Sequence, residues 1–369
     1  MNEDKAARYH RLHRRAIVAS LAWSTVLLAG LVVSGWHARL RDVAELVLPR
    51  SPVPVYVALL LILHEIVGFP LAAYSSVVLE RRYGLSTEPV RVWVLDQVKS
   101  MGIALALGAG AASLIYAFIR RWPEQWWLPA GVAFAAFVVA LTNVAPVLVL
   151  PLFYRVKPLE REDLRARLLA LADRAGARVL GAYEWGLGAK TRKANAALAG
   201  LGGTRRILVS DTMLADYTEE EIEVVLAHEL AHHVHGDIWK GIAFEVVLIV
   251  SGFYLAARAL SSLSAAAGLR GVADIAGLPV LLLAAGVVSV LMSPVANAMS
   301  RAFERRADRF ALGLTKNPSA FISAMRRLAQ QNLAEEEPSR IVRWLFYSHP
   351  PMRERIAVAE VFASRGKPG

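Results

Sequence analysis

Two histidines and a glutamate near the middle of the chain have the spacing His-Glu-x-x-His, as His228, Glu229 and His232. Residues four apart on a helix project from the same face, so both histidines can bind one Zn²⁺ ion. Neutral imidazoles leave a coordination position for water, and the Glu229 carboxylate can take a proton from that water. His233 and His235 point to other faces and are not expected to be ligands. The pattern predicts metal-assisted hydrolysis.

A catalytic zinc ion needs a third protein ligand, and a second predicted helix offers two carboxylates for it. Glu304 and Asp308 lie four residues apart on that helix. One of them can bind the metal while the other accepts a hydrogen bond from a ligand imidazole. Two predicted membrane crossings separate the two helices, which returns the chain to the same side. Alternatively, both carboxylates lie on a solvated face and pair with Arg301, Arg305 and Arg306.

Composition limits the class of protein. The chain has 369 residues, of which 56% are hydrophobic, with a mean hydropathy of +0.41, a net charge of +11 and no cysteine. A soluble chain is about 45–50% apolar, so this composition indicates a membrane protein. The lack of cysteine excludes disulfides, thiolate metal sites and a cysteine nucleophile. Basic loops of a membrane protein explain the positive charge, and nucleic-acid binding is not expected.

Six stretches are long and apolar enough to cross a hydrocarbon core of about 30 Å. They are predicted approximately at Ala16–Trp36, Val53–Val78, Met101–Ile119, Trp127–Tyr154, Trp239–Leu260 and Gly277–Met299. The first follows basic residues, and its apolar run exceeds the about 7–15 residues of a signal-peptide core, so we expect an uncleaved anchor. The distribution of Lys and Arg places both termini and the polar stretch Arg155–Ile238 in the cytoplasm. The protein is therefore expected to be a multi-pass membrane protein with a cytoplasmic site.

The polar stretch has secondary structure of its own. A helix is predicted at Leu159–Ala175, followed by strand-like runs at Val179–Trp185, Ala194–Leu198 and Arg206–Ser210. Thr218 and Glu221 form a predicted capping box that begins the helix of the metal motif, which continues to about Gly236. This stretch is thus expected to be an α+β unit.

Beyond the metal motif, several segments resemble the type I CAAX prenyl endopeptidase family of integral-membrane zinc metalloproteases. Asn297, Ser300, Arg301, Glu304 and Asp308 are similar to the family's Asn, Ser-Arg, Glu and Asp pattern after the metal helix, apart from the spacing of the asparagine. Further similar segments are Gly68–Pro70, Leu79–Leu85, Pro151–Phe153, Asn195–Ala196, Arg206–Thr212 and Ser348-His349-Pro350-Pro351 with Arg355 and Ile356.

The resemblance implies a role for each matched residue. It implies one Zn²⁺ per chain, held by His228, His232 and Glu304, with Glu229 as general base. Asp308 and Asn297 would support the ligands, and Asp308 would orient a histidine. His349 and Arg355 would help to bind substrate or the oxyanion, and the Ala194–Leu198 edge strand would hold the peptide. The eukaryotic family members have seven spans, whereas this sequence predicts six.

These observations predict a mainly α, polytopic membrane bundle of about six spans with a cytoplasmic zincin-like α+β metalloprotease domain. The predicted domains are an amino-terminal membrane domain at 1–153 and a metallopeptidase domain at 154–369 that includes spans at about 239–260 and 277–299. The expected partners are the lipid bilayer and a peptide or protein substrate, for which a prenylated or membrane-associated form is one option. Two alternatives stay open: a heat-shock-type quality-control zinc protease, and a non-enzymatic membrane receptor or scaffold with an inactive zinc motif.

Overall fold

The computed structural model describes residues 2–200 and 202–365, and it is mostly helical. The helices are α1 (Asn2–Val33), α2 (Trp36–Val47), α3 (Pro52–Ala73), α4 (Glu80–Arg82), α5 (Val90–Arg121), α6 (Trp127–Leu148), α7 (Leu150–Phe153), α8 (Glu162–Arg174), α9 (Asp211–Asp216), α10 (Glu219–Val234), α11 (Asp237–Leu263), α12 (Leu278–Thr315), α13 (Pro318–Gln331), α14 (Arg340–Phe346) and α15 (Met352–Arg365). The strands are β1 (Val156–Pro158), β2 (Ala182–Trp185), β3 (Ala196–Ala199) and β4 (Arg206–Ser210).

Six helical segments of the described chain are long and apolar enough to cross a membrane, which confirms the predicted number. They are Lys5–Val33, Pro52–Arg82, Val90–Arg121, Trp127–Leu148, Asp237–Leu263 and Ile275–Thr315. Large apolar side chains such as Ile66, Val247 and Leu291 are exposed on them, as expected for surfaces that face lipid. The first helix differs from its prediction, because it already begins in the basic amino-terminal residues and ends at Val33.

A buried apolar cluster joins the membrane helices. Tyr56 of α3, Tyr116 of α5 and Leu260 of α11 are fully buried in it, together with Trp126 before α6. The twelve-residue helix α2 packs on α3 and adds Ala44 to this cluster. Helix α2 was not predicted, because it is too short and too polar to register as a span.

The α+β unit contains one small sheet with the strand order β1-β2-β4-β3. Strand β2 runs parallel to β4, whereas β1 and β3 are antiparallel to their neighbours. Strand β3 is an edge strand, as expected, but it begins at Ala196 because the backbone of Ala194 pairs instead with the side chain of Asn332. The sheet packs on α8 and α10, and α13 packs on α10, so that Leu168, Ile207 and Phe321 share one buried cluster.

Two helices carry the motif residues into this unit. The capping box of α10 is present: Thr218 Oγ1 accepts from the Glu221 amide at 3.3 Å, and Glu221 accepts from the Thr218 amide at 2.9 Å. Helix α10 ends at Val234, because Gly236 adopts φ +66° and turns the chain into α11. The 38-residue helix α12 runs from the membrane bundle and packs against α10.

Candidate active site

Three side chains from two helices converge at the centre of the α+β unit. One ligand atom from each of His228, His232 and Glu304 lies within 4.8 Å of the others. His228 Nε2 is 3.1 Å from Glu304 Oε2, and His232 Nε2 is 3.3 Å from Glu304 Oε1. The two imidazole rings are nearly perpendicular, with their centroids 5.1 Å apart. The pair of helices therefore brings together the three predicted metal ligands.

Glu304 has one oxygen that the protein does not satisfy. Its carboxylate is buried at 5% exposure, and Oε2, although only 3.1 Å from His228 Nε2, has no partner with hydrogen-bond geometry among the described residues. A buried carboxylate oxygen without a partner is unfavourable, and a bound cation removes that cost. Two imidazoles and one carboxylate are also a donor set that catalytic zinc sites use. The residues present therefore fit a metal ion.

The outward ring nitrogens of both histidines contact carboxylates. His228 Nδ1 lies 2.9 Å from Asp308 Oδ1, and His232 Nδ1 lies 3.1 Å from Asp237 Oδ2. Such partners fix the tautomer of a ligand imidazole and direct its other nitrogen at the metal. Each carboxylate is held in turn by an arginine. Arg355 donates to both oxygens of Asp308 at 2.6 and 2.9 Å. Arg306 of α12 donates to Asp237.

Asp237 is a site residue that sequence reasoning missed. It is the first residue of α11, and it returns to His232 only because the chain turns at Gly236. The signal that could have found it is the Gly-Asp pair directly after the metal helix, since a left-handed glycine there ends a helix and reverses the chain. An aspartate placed there lies close to the metal helix, where His232 is available as its partner.

His349 and Arg355, both from the carboxyl-terminal part, lie on different sides of the metal-ligand group. His349 Nε2 is 3.4 Å from Glu304 Oε1, its side chain is 59% exposed, and Ser348 Oγ lies 2.9 Å from its Nδ1. Arg355 is buried behind His228, 3.2 Å from its Nδ1. His349 thus faces the open side of the group, whereas Arg355 is occupied with Asp308.

Asn297 does not contact a ligand imidazole. It lies two turns before Glu304 on α12, and its Nδ2 donates to the Leu345 carbonyl of α14 at 2.7 Å. His233 and His235 have other contacts. His233 Nε2 is 3.2 Å from an Arg205 nitrogen, and the His235 ring packs edge-on against Phe310.

The electrostatics of the metal-free site favour protons on the histidines. Burial and Arg355 oppose a charge on His228, but the carboxylates of Asp308 and Glu304 outweigh them and raise its pKa to about 9. Burial likewise opposes a charge on His232, yet the nearby carboxylates raise its pKa above the ordinary value. The negative side chains thus attract positive charge to this point, whether protons or a metal ion.

Glu229 lies beside the two imidazoles on α10 and is half-buried. Burial raises the pKa of its carboxyl above the ordinary value, and the two neighbouring imidazoles act in the opposite direction. A carboxyl with a raised pKa is a better proton acceptor than one in water. The position and environment of Glu229 therefore suit acid–base chemistry.

Two family models together match almost the whole chain. Residues 158–362 match Peptidase family M48. Residues 2–155 match the CAAX prenyl protease N-terminal family, which is described with five membrane helices. Four of the long apolar helices fall in that second range, along with the short α2.

Similar proteins and a similar structure agree with these matches. The metalloprotease YhfN of Bacillus subtilis, itself uncharacterized, is 31% identical over 336 residues, which cover 89% of this chain and 79% of that protein. CAAX prenyl protease 1 of Saccharomyces cerevisiae is 27% identical over 334 residues, or 85% of this chain and 73% of that protein. The crystal structure of S. mikatae Ste24p has the same fold, with a TM-score of 0.85 at 22% identity, covering 97% and 88% of the two chains. The chain therefore belongs to peptidase family M48, as an integral-membrane metalloprotease of the CAAX prenyl protease type.

Proposed function

We propose that the chain is a zinc endopeptidase that holds one Zn²⁺ ion between His228, His232 and Glu304. The convergence of these three donors, with an unsatisfied buried oxygen on Glu304, is the observation that carries the proposal. Zinc bound there supplies a Lewis acid that polarises the scissile carbonyl and makes water acidic enough to react near neutral pH.

Glu229 is the general base in this proposal. Its carboxylate accepts a proton from the attacking water and then delivers that proton to the amine that leaves. The raised pKa supports both steps, because the same group must accept a proton and release it. Glu229 is not one of the three converging ligands, so its removal should leave the metal in place.

Two carboxylates orient the ligand histidines. Asp308 contacts Nδ1 of His228, and Asp237 contacts Nδ1 of His232, which leaves both Nε2 atoms directed at Glu304. Arg355 holds Asp308 through two hydrogen bonds and so supports His228 indirectly. This role for Arg355 is supported by its burial, which keeps it from the open side of the site.

His349 faces the open side and is assigned to the substrate. Its imidazole is largely exposed and adjoins Glu304, where it can donate a hydrogen bond to the oxyanion that forms during peptide hydrolysis. The edge strand β3 is assigned to the peptide backbone, because an exposed edge can pair with an extended chain.

The site is proposed to face the cytoplasm. The basic amino-terminal end of α1 lies against the α+β unit: Tyr9 donates to Glu80, which pairs with Lys193 at 3.0 Å, and His10 Nε2 is 2.8 Å from the Leu333 carbonyl. The site therefore shares a side with residues that the distribution of positive charge places in the cytoplasm. The division into domains at residues 153 and 154 stays a prediction.

The proposed substrate is a prenylated or membrane-associated protein, as the name of the yeast relative suggests. Three substrates separate the possibilities: a prenylated CAAX peptide, the same peptide without the lipid, and a denatured membrane protein. The proposal predicts that the purified protein, with zinc bound, cleaves the prenylated peptide fastest. Preferred cleavage of the denatured protein would indicate quality control instead. A protein that binds no zinc and cleaves none of the three substrates would indicate a non-enzymatic role.

A further inference from the structure

One stripe of α12 carries four polar side chains. Asn297, Arg301, Glu304 and Asp308 are separated by four, three and four residues, so they share one face of the helix. Glu304 and Asp308 contact the imidazole of His228. The other two lie one and two turns closer to the membrane bundle, and the mechanism above does not use them.

Asn297 and Arg301 both donate to backbone carbonyls at the end of α14. Asn297 Nδ2 donates to the Leu345 carbonyl at 2.7 Å. Arg301 Nη1 donates to the Arg343 carbonyl at 3.1 Å and also to the carbonyl of Tyr347. The Arg343 carbonyl also accepts from the Tyr347 amide at 3.3 Å. Carbonyls at the end of a helix carry partial negative charge, which favours a cation there.

The burial of Arg301 makes these contacts its main compensation. Arg301 is 7% exposed, and no carboxylate in the described part of the chain forms an ion pair with it. A buried charge is unfavourable unless hydrogen bonds or an opposite charge offset it. The carbonyl end of α14 provides both, so Arg301 and this end of the helix hold each other in place.

The segment that Arg301 holds leads directly into His349. Tyr347 precedes it by two residues, and Pro350 and Pro351 follow it. A proline restricts the backbone of the residue before it, so His349 has little freedom on its carboxyl side. On its amino side, the carbonyl of Tyr347 is bound by Arg301.

We propose that Arg301, assisted by Asn297, is a positioning residue for His349. It fixes the end of α14 against the helix that also carries Glu304, and so sets the 3.4 Å approach of His349 to that carboxylate. The inference rests on the proposed role of His349 at the substrate. It assigns Asn297 to the same backbone segment instead of to a ligand histidine.

A double-mutant cycle tests whether Arg301 acts through His349. Arg301→Gln is expected to lower kcat/KM by about 10- to 100-fold, because a small misplacement of a group at the reacting atoms is costly. Zinc content should stay unchanged. His349→Ala should show a loss of similar size, and adding Arg301→Gln to it should cause no further loss. The matched control is Arg309→Gln, an exposed arginine of the same helix, which should leave kcat/KM unchanged.

A measurement on metal-free protein tests the positioning directly. Hydrogen–deuterium exchange of the amides at 343–349 should increase in Arg301→Gln and in Asn297→Ala, but not in Arg309→Gln. Arg301→Lys should restore part of the protection, since lysine can still donate to a carbonyl. If Arg301→Gln does not fold, Asn297→Ala, which removes one hydrogen bond, replaces it in both experiments.

The outcomes separate this inference from the proposed function. Losses that multiply in the double variant, unchanged exchange at 343–349, or unchanged kcat/KM in Arg301→Gln would each overturn the inference. The proposed function fails separately, if the wild-type protein binds no zinc or if Glu229→Gln remains active.

Discussion

Asp237 accepts a hydrogen bond from Nδ1 of His232 at 3.1 Å, although it belongs to the next helix and follows a sharp turn at Gly236. The contact joins the start of a membrane-spanning helix to a proposed metal ligand. Each of the two proposed ligand histidines thus has its own carboxylate at Nδ1, Asp308 for His228 and Asp237 for His232.

Asp237→Asn is expected to weaken zinc binding by about 10- to 100-fold, which is typical for the partner of a ligand imidazole. The amide keeps the size of the side chain but removes the charge that favours the correct tautomer. Zinc retention against a graded series of chelators measures the effect. Asp163→Asn is a control, because it makes the same change at an exposed carboxylate of α8 outside the ligand group. Equal retention by the Asp237 variant and wild type would contradict the role.

Glu304 and Asp308 should respond differently to substitution. Glu304→Ala removes a ligand and is expected to abolish stoichiometric zinc binding, since two imidazoles alone rarely complete a catalytic site. Asp308→Asn removes only the partner of His228 and should leave zinc bound, with about 10- to 100-fold weaker affinity. Metal analysis of both purified variants measures this, with thermal unfolding to verify that each is folded. Unchanged zinc in Glu304→Ala would show that another group is the third ligand.

Zinc binding should depend on pH up to about 9, because the carboxylates of Asp308 and Glu304 raise the pKa of His228 in the metal-free protein to about 9. The pKa is raised, so His228 is protonated at pH 7 and must lose its proton to bind the metal. Apparent zinc affinity should therefore increase from pH 7 to pH 9, with release of protons. Calorimetry in buffers of different ionisation enthalpy counts those protons. An affinity that is constant between pH 7 and pH 9 would contradict this electrostatic description.

The edge strand can be tested at one backbone amide. Ser210 N donates to Asn195 O across β3 and β4. Because the N–H and C=O groups of successive residues in a strand point to opposite sides, those of residue 197 face β4 and those of Leu198 face the free edge. Leu198→Pro removes a donor from that edge without breaking the ladder, and should increase KM about 3- to 10-fold, as expected for one lost hydrogen bond. Leu198→Ala, which keeps the amide, controls for the lost side chain. Equal KM values in the two variants would exclude main-chain pairing at this position.

The sequence predicted the features that depend on local spacing and composition. The metal motif, the capping box of Thr218 and the number of spans follow from patterns within one helix, and the structure confirms the capping box and the six apolar helices. Glu304 and Asp308 were placed beside the histidines by topology, since two crossings return the chain to one side. In the structure, Glu304 Oε2 and Asp308 Oδ1 lie 3.1 and 2.9 Å from the ring nitrogens of His228, while their roles at a metal stay a prediction.

The features that were missed depend on contacts between distant segments. Asp237 gains its partner from a turn geometry, and Arg301 gains its partners from carbonyls more than 40 residues away. Helix α14 has only seven residues, too few to show a clear period, and the twelve-residue α2 is too short and too polar to register as a span. Short helices depend on packing against longer ones for their stability. Nothing in local propensity distinguishes a buried arginine such as Arg301 from the exposed ones near it.

The most direct test of the account compares wild-type protein with Glu229→Gln in two measurements on the same preparations: zinc content and cleavage of a peptide substrate. The variant loses a base but no ligand. The account predicts one zinc ion per chain in both proteins, and a loss of cleavage of at least about 100-fold in the variant. Cleavage by the Glu229 variant at the wild-type rate, or wild-type protein that cleaves without zinc, would contradict it.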